Sequence, residues 1–162
     1  MGGRRLDAVA DRERTLFRRR HMGFVFQFFN LVPTLTVEEN LRLPLELNGR
    51  RGAAARALAG ERLAWAGLGD RGGDFPHQLS GGEQQRVAVL RALIHDPGLV
   101  LADEPTGNLD ADNGRRILEL LARLPRERGQ TLVMVTHSEE ALPYADQVLE
   151  LHDGRVAPRT GA

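Results

Sequence analysis

The sequence predicts an α/β fold in which helices pack on a parallel β-sheet. Residues 99–102 and 132–135 are continuous aliphatic runs, which are typical of parallel strands covered on both faces. Between them, residues 111–124 have an amphipathic pattern with Ile117 and Leu121 on the apolar side, which predicts a helix. Strand and helix therefore alternate along the chain, as they do in α/β proteins.

The beginning of the chain predicts one helix and one strand. Residues 11–20 are rich in charge and predict a short polar helix with Leu16 and Phe17 facing inward. The apolar run at 22–26 predicts a buried strand that ends just before Gln27.

A mainly helical stretch follows this strand. Thr36 and Glu39 have the spacing of a capping box, so Thr36 opens a helix, which we expect to end just before Pro44. Residues 53–66 have the composition of a second helix, and residues 67–76 predict a loop.

The second half of the chain continues the alternation. Ser80 and Glu83 form another capping box and open a helix. Beyond the aliphatic runs, residues 138–144 predict a short helix. An Asp-Gly turn predicts a hairpin with strands at 147–151 and 155–157.

The composition narrows the possible functions. The 162 residues suit a single domain, and their formal net charge of zero gives no bulk attraction to nucleic acid or to an anionic membrane. Without cysteine, the chain can form neither a disulfide nor a thiolate metal site. All 22 basic residues are arginine, so a mechanism that needs a lysine must take it from another chain.

Two adjacent carboxylates, Asp103 and Glu104, follow the aliphatic run at 99–102. Ligand sites in open α/β sheets lie at the carboxyl ends of the strands. Asp103 is placed to hold Mg²⁺ through water, and Glu104 to polarise a water that attacks a γ-phosphate. The structural alternative is an ordinary Asp-Glu turn after a buried strand.

The helix that Ser80 opens begins with Gly81, Gly82 and Glu83. Glycine near a helix start weakens the helix, so the pair indicates that something approaches the backbone closely. A helix start bared by glycine is an anion site, and phosphate is the obvious anion. The alternative is a plain capped helix.

Three further features fit the same chemistry. His137 follows the run at 132–135 and is expected beside Glu104, where it can contact a γ-phosphate. Gln27 follows the first strand and can reach Mg²⁺ or the attacking water. Residues 107–110 form a loop just after the carboxylate pair. Each feature also has a purely structural interpretation.

Taken together, these residues resemble the ABC transporter ATPase family. In chain order the matches are a Q-loop at Gln27, a signature at 79–83, a Walker B motif at 99–104, a D-loop at 108–110 and a switch histidine at His137. Residues 23–36 and 101–110 look most like the macrolide-efflux and lipoprotein-release (MacB/LolD-like) branch.

The resemblance implies a P-loop NTPase-like core that here lacks its first strands and its P-loop. Residues 1–32 and 79–162 would form this core, and residues 33–78 an inserted helical subdomain. It also implies ATP and Mg²⁺ as cofactors, with Asp103 and Gln27 as metal ligands and Glu104, His137 and Gln27 as catalytic residues.

The partners implied by the resemblance are a second ATPase subunit and an FtsX-like permease, with no nucleic acid. The family sandwiches two ATP molecules in a dimer, so the nucleotide-binding residues Ser80, Gly81, Gly82, Glu83 and Asp110 would include the signature that serves the partner's nucleotide. The expected location is the cytoplasm, peripheral to the inner membrane.

The chain departs from the family pattern before Gln27. The family's Walker A motif, Gly-x-x-x-x-Gly-Lys-[Ser/Thr], is absent, and residues 2–8 look like the hairpin tail that precedes the Q-loop. We therefore expect the chain to be a shortened product of a full ATPase gene, one part of a split gene, or a subunit offering only a signature face. We expect little or no ATP hydrolysis from it alone, and an exposed apolar sheet edge.

Two rival functions are weighed against this interpretation. A DNA-repair ATPase of the same family would carry a long coiled coil or a zinc insertion between Gln27 and Ser80, and neither is present. A non-catalytic interaction module would not require both Glu104 and His137. The apolar residues of 28–35 either meet the permease or fill a gap between lobes.

Overall fold

The computed structural model describes residues 9–159, so the hairpin tail expected at 2–8 lies outside the described residues. The helices are α1 (Asp11–His21), α2 (Val37–Leu47), α3 (Ala53–Trp65), α4 (Gly81–Leu93) and α5 (Ala111–Glu127). The strands are β1 (Met22–Val25), β2 (Leu99–Asp103), β3 (Thr131–Val135), β4 (Leu149–His152) and β5 (Arg155–Pro158).

Three strands form a parallel sheet in the order β1-β2-β3. Met22 pairs with Leu99, and Leu99 pairs with Thr131, so the three strands start level with one another. Their carboxyl ends consequently meet at one edge of the sheet. The predicted α/β fold is confirmed, and β4 and β5 form a separate antiparallel hairpin.

One face of the sheet is covered by helices. Val25, Val100 and Ala102 on this face are buried in a continuous aliphatic core with α4 and α5. The approach of α4 is close enough that a Cβ at Gly23 would lie 2.2 Å from the carbonyl oxygen of Ala92. Glycine in β1 therefore sets the distance between the strand and the helix that carries the signature.

The opposite face of the sheet is open, which corrects the expectation that β3 is covered on both sides. Val133 and Val135 are 49% and 62% exposed. Phe24 and Leu101 share the face with Val133 through the strand pairing, and the Phe24 ring stacks on Phe26. The aliphatic pattern predicted that both faces of the sheet are buried, but within residues 9–159 helices pack on one face only.

The α2 helix opens as predicted, because the Thr36 hydroxyl accepts from the Glu39 N–H while the Glu39 carboxylate accepts from the Thr36 N–H. The predicted stop before Pro44 is wrong, since α2 continues to Leu47. Leu45 lies one turn beyond Leu41 on the same buried face, so burial outweighs the hydrogen bond that proline cannot donate.

Two smaller expectations also need correction. The predicted loop at 67–76 contains a 3₁₀ helix at Gly69–Arg71, and the short helix near 138–144 is a 3₁₀ helix at Glu139–Tyr144. Among residues 9–159, no helix is both long and apolar enough to cross a membrane.

Candidate nucleotide site

Glu104 is held at the carboxyl edge of the sheet by the end of β3. Its N–H donates to the Val135 carbonyl at 2.9 Å, and its φ of 42° lies in the left-handed region. Both carboxylate oxygens accept hydrogen bonds, from Thr136 Oγ1 at 3.0 Å and from the His137 N–H at 2.9 Å. The side chain is 20% exposed, so one carboxylate is fixed in direction at a site that water still reaches.

His137 lies beside Glu104, as the sequence predicts. Its Nε2 is 3.6 Å from Glu104 Oε1, and its side chain is 97% exposed. The backbone around it is fixed because the Ser138 N–H donates to Thr136 Oγ1 at 3.1 Å. The backbone of His137 is therefore held in place while its imidazole ring is exposed to solvent, which suits a group that contacts a bound ligand.

Gln27 and the loop after the carboxylate pair meet at the same edge. Gln27 Nε2 donates to Asn108 Oδ1 at 3.4 Å, and Asn108 Nδ2 donates to the Gln27 carbonyl at 3.1 Å. A Cβ at Gly107 would lie 3.0 Å from Gln27 Nε2, so glycine admits the amide there. Asp103 ends β2 and is exposed.

An open cleft of about 330 Å³ joins several of these groups. Its lining includes Glu104, His137, Gly107, Asp110 and Glu140. Asp103, Gln27 and the signature residues do not line this cleft. The predicted site residues therefore fall into three sets: those of the cleft, those of the signature, and Asp103 with Gln27, which belong to neither. Within residues 9–159, no three acidic or histidine side chains form a metal-binding cluster.

The signature group begins with the capping box at the start of α4. The Ser80 N–H and its hydroxyl both donate to Glu83 Oε2 at 2.8 Å, and the Glu83 N–H donates back to Ser80 Oγ at 3.3 Å. The hydrogen bonds from Ser80 lower the pKa of Glu83, and Arg71 lowers it further. Glu83 is therefore a charged structural part of the cap at neutral pH.

The two signature glycines have different reasons for being glycine. A Cβ at Gly82 would lie 2.4 Å from Asn113 Oδ1, so a larger residue there would displace the Asn113 amide that bonds to Asp110. A Cβ at Gly81 would make only ordinary contacts, the nearest at 3.6 Å with Phe29. Contacts within the chain therefore account for glycine at 82 but not at 81. For Gly81, the close approach of a ligand to the backbone stays a prediction.

Asp110 caps α5 and holds Asn113, which packs against the signature. It accepts from the Asn113 N–H at 2.9 Å and from Asn113 Nδ2 at 2.7 Å. These two bonds hold the pKa of Asp110 below its usual value. Asn113 in turn contacts Gly82, so the D-loop and the signature helix are packed together through one amide.

Three polar side chains that build the site were not predicted from the sequence. Thr136 donates to the Glu104 carboxylate, and the fully buried Gln85 donates to the carbonyls of 26 and 105. Arg91 donates to the carbonyl of Asn30, in residues 27–30, which we call the Gln27 segment. A signal existed for Gln85, because it occupies the apolar side of α4 one turn before Val89. Thr136 and Arg91 carried no such signal.

Comparison with known proteins decides the family. The chain matches the family described as ABC transporter over residues 3–107, which is more than half of its length. The chain belongs to the ABC transporter family. Its resemblance to the MacB/LolD-like branch is likewise confirmed by its relatives.

Several relatives of this ABC family chain are closely similar. An ABC transporter ATP-binding protein of Mycobacterium tuberculosis is 55% identical over 91% of the chain and 60% of its own length. The lipoprotein-releasing system ATP-binding protein LolD of Xanthomonas campestris is 46% identical over 96% of the chain and 65% of its own length. The chain thus spans about three fifths to two thirds of these relatives.

A solved structure of the ABC family supports the same fold. The ATP-binding cassette MJ0796, determined as a dimer in a post-hydrolysis state with ADP and Pi, is 41% identical to the chain. The two superpose with a TM-score of 0.82 over 96% of this chain and 70% of MJ0796.

Proposed function

We propose that the chain is part of an ATP-hydrolysing, energy-coupling subunit of a bacterial ABC transporter. The observation that carries the proposal is the Glu104 carboxylate, which Thr136 and His137 fix at the carboxyl edge of the sheet beside an open cleft. Family membership supplies the reaction, because the similar cassette MJ0796 was solved with ADP and Pi.

In this proposal Glu104 is the general base for the attacking water. Both of its oxygens already accept one hydrogen bond, and a carboxylate oxygen has a second lone pair for a water proton. Its low exposure favours a strong interaction with that water. His137, with its ring free and 3.6 Å away, contacts the γ-phosphate and orients the same water.

Mg²⁺ is the cation that such a site takes, and the residues present fit it in part. Asp103 is exposed at the end of β2 and offers one carboxylate, while Gln27 offers one amide oxygen. Mg²⁺ keeps several waters and needs only one or two carboxylates, so the absence of a three-carboxylate cluster within residues 9–159 is compatible with it. The cation would neutralise charge on the phosphates.

The signature residues serve a nucleotide held by a second ATPase subunit. Ser80 caps α4 and is exposed, and Gly81 adds no side chain at the helix start, where unpaired N–H groups and the helix dipole favour an anion. Glu83 and Asp110 stabilise this surface from behind through their capping bonds. The similar cassette MJ0796 is dimeric, which supports a pair of ATPase subunits as the working unit.

The remaining parts of the proposal concern organisation and location. Residues 1–32 and 79–162 form the catalytic core, and residues 33–78 form a helical subdomain in which α2 and α3 pack together. The membrane partner is an FtsX-like permease, supported by the likeness to LolD and MacB, and the subunit works on the cytoplasmic side of the inner membrane. Phe28, which is 70% exposed, belongs to the segment that meets it.

The test uses the chain alone and a chimera in which the Walker A segment of a related cassette precedes the whole chain. With Mg²⁺ and ATP, we expect no phosphate release from the chain alone, because it has no lysine and no phosphate-binding loop. The chimera is expected to hydrolyse ATP, and Glu104→Gln is expected to lower kcat by about 10²- to 10⁴-fold.

A matched control is Glu140→Gln, which changes another carboxylate of the same cleft. It is expected to leave kcat within about twofold of the parent chimera, because the proposed mechanism gives Glu140 no role in activating the water. An active chimera that keeps its kcat after Glu104→Gln would overturn the assignment of the base. Magnesium-dependent hydrolysis by the chain alone would overturn the statement that it is inactive by itself.

A further inference from the structure

Gln85 is a polar side chain buried at the junction of three functional segments. It lies on α4, and its Nε2 donates to the Phe26 carbonyl at 3.1 Å and to the Pro105 carbonyl at 2.5 Å. Phe26 immediately precedes Gln27, and Pro105 immediately follows Glu104. One amide of the signature helix therefore holds the backbone beside both residues.

Arg91 makes a second connection from the same helix. Its Nη1 donates to the Asn30 carbonyl at 2.7 Å, and its Nη2 donates to the Phe29 carbonyl at 3.2 Å. Asn30 has a φ of 50°, so the chain turns sharply where the guanidinium holds it. Gln85 lies six residues before Arg91 on α4, and together they hold the Gln27 segment on both sides of Gln27.

We propose that Gln85 and Arg91 are positioning residues for Gln27, so that the signature helix and the Gln27 segment move as one body. The inference rests on the proposed function of Gln27. No backbone hydrogen bond of a helix or strand secures residues 27–30, and the carbonyls of Phe26, Phe29 and Asn30 are tied instead to side chains of α4. Any displacement of α4 is therefore transmitted to both ends of the segment.

Because Gln85 also bonds to the carbonyl of Pro105, the same coupling includes the turn that carries Glu104, the proposed base. Gln85 uses both amide protons, one for each segment, while its Oε1 makes no hydrogen bond within residues 9–159. Neither leucine nor methionine can replace these donors, and glutamate would set a carboxylate against two carbonyl oxygens. Glutamine is thus suited to link the Gln27 segment and the Glu104 turn to one point of α4.

Native-state chymotrypsin cleavage of the full chain tests the coupling. Phe28 is the exposed cleavage site of the segment, and Trp65 and the half-buried Tyr144 are reference sites on other elements. Gln85→Met is expected to raise cleavage after Phe28 about fivefold, and Arg91→Met at least tenfold, because neutral and charged hydrogen bonds to the carbonyls are lost. Product masses identify the site cut.

The controls separate positioning from general destabilisation. Gln84→Met is a matched change, because Gln84 donates to the Leu79 carbonyl and not to the Gln27 segment. It is expected to leave cleavage after Phe28 within twofold of the parent. Arg91→Lys keeps the charge but loses the two-pronged donor, so its cleavage rate is expected to lie between those of the parent and Arg91→Met.

Cleavage that rises equally at the reference sites, with a lower Tm, would overturn the proposal, as would unchanged cleavage after Phe28 in folded Arg91→Lys and Gln85→Met variants. In the active chimera, Gln85→Met is expected to lower kcat about fivefold with KM unchanged. An inactive chimera with local cleavage after Phe28 counts against the proposed function alone. An active chimera with an unaltered kcat counts against the coupling alone.

Discussion

Replacing Asn40 by alanine is expected to destabilise the fold more than any exposed polar substitution. Asn40 is fully buried, and its Oδ1 accepts from the Val32 N–H at 2.8 Å. Its Nδ2 donates to the carbonyls of Val32, Leu35 and Thr36 at 3.0–3.1 Å. One side chain therefore organises the turn that leads into α2.

The expected loss of stability depends on which backbone groups keep a hydrogen-bond partner after Asn40→Ala. The Val32 carbonyl still accepts from the Leu35 N–H, and the Thr36 carbonyl still accepts from the Asn40 N–H. The Val32 N–H and the Leu35 carbonyl lose the partners that Asn40 provides, at about 1–3 kcal/mol each when buried. Because this turn is partly exposed, we expect a loss of about 3 kcal/mol, or roughly 6–12 °C in Tm.

Urea and thermal unfolding followed by circular dichroism measure this loss. Asn48→Ala is the matched control, because Asn48 also donates to two carbonyls, those of Arg19 and Pro44, but is only partly buried, whereas Asn40 is fully buried. Water can replace those bonds, so a loss of only about 1 kcal/mol is expected. Equal losses for the two variants, or a loss below about 1 kcal/mol for Asn40→Ala, would refute the reasoning.

Three further predictions concern the signature and the open face. Because the pKa of Glu83 is lowered by its bonds to Ser80, the stability that it adds is present above pH 4.5 and is lost as the pH falls through its folded pKa. Urea unfolding from pH 7 to pH 3 should therefore show the advantage over Glu83→Gln shrinking in acid. Gly82→Ala should lower Tm, because its Cβ meets Asn113, whereas Gly81→Ala should leave Tm within about 2 °C; equal shifts in thermal unfolding would contradict this. Threonine at the two exposed valines of β3 should raise the solubility limit measured by light scattering, and an unchanged limit would show that the open face does not drive association.

Local rules predicted the helix starts well. Both capping boxes, at Thr36 and at Ser80, form with the reciprocal bonds that their spacing indicates. The carboxylate at 104 and the imidazole at 137 also meet as predicted, because parallel strands bring their carboxyl ends to one edge. These features depend on spacing along the chain, which a sequence displays directly.

Features that depend on distant partners were not predictable in this way. Pro44 was expected to end α2, but the buried position of Leu45 extends the helix through it. Asn40 lies inside the predicted helix, and no local pattern shows that it bonds to the preceding turn. Gln85 bonds to carbonyls 59 and 20 residues away, and no local pattern carries that distance.

At Glu104, the residue proposed for catalysis has a left-handed backbone conformation that destabilises the fold. A non-glycine residue with a φ of 42° raises the free energy of the native state by about 1 kcal/mol or more. The hydrogen bond from the Glu104 N–H to β3 and the one from Thr136 to the carboxylate must offset this strain. Glycine would relieve this strain and remove the proposed base in the same step. If Glu104 has the proposed role, selection for stability alone favours its loss, and only selection for ATP hydrolysis keeps it.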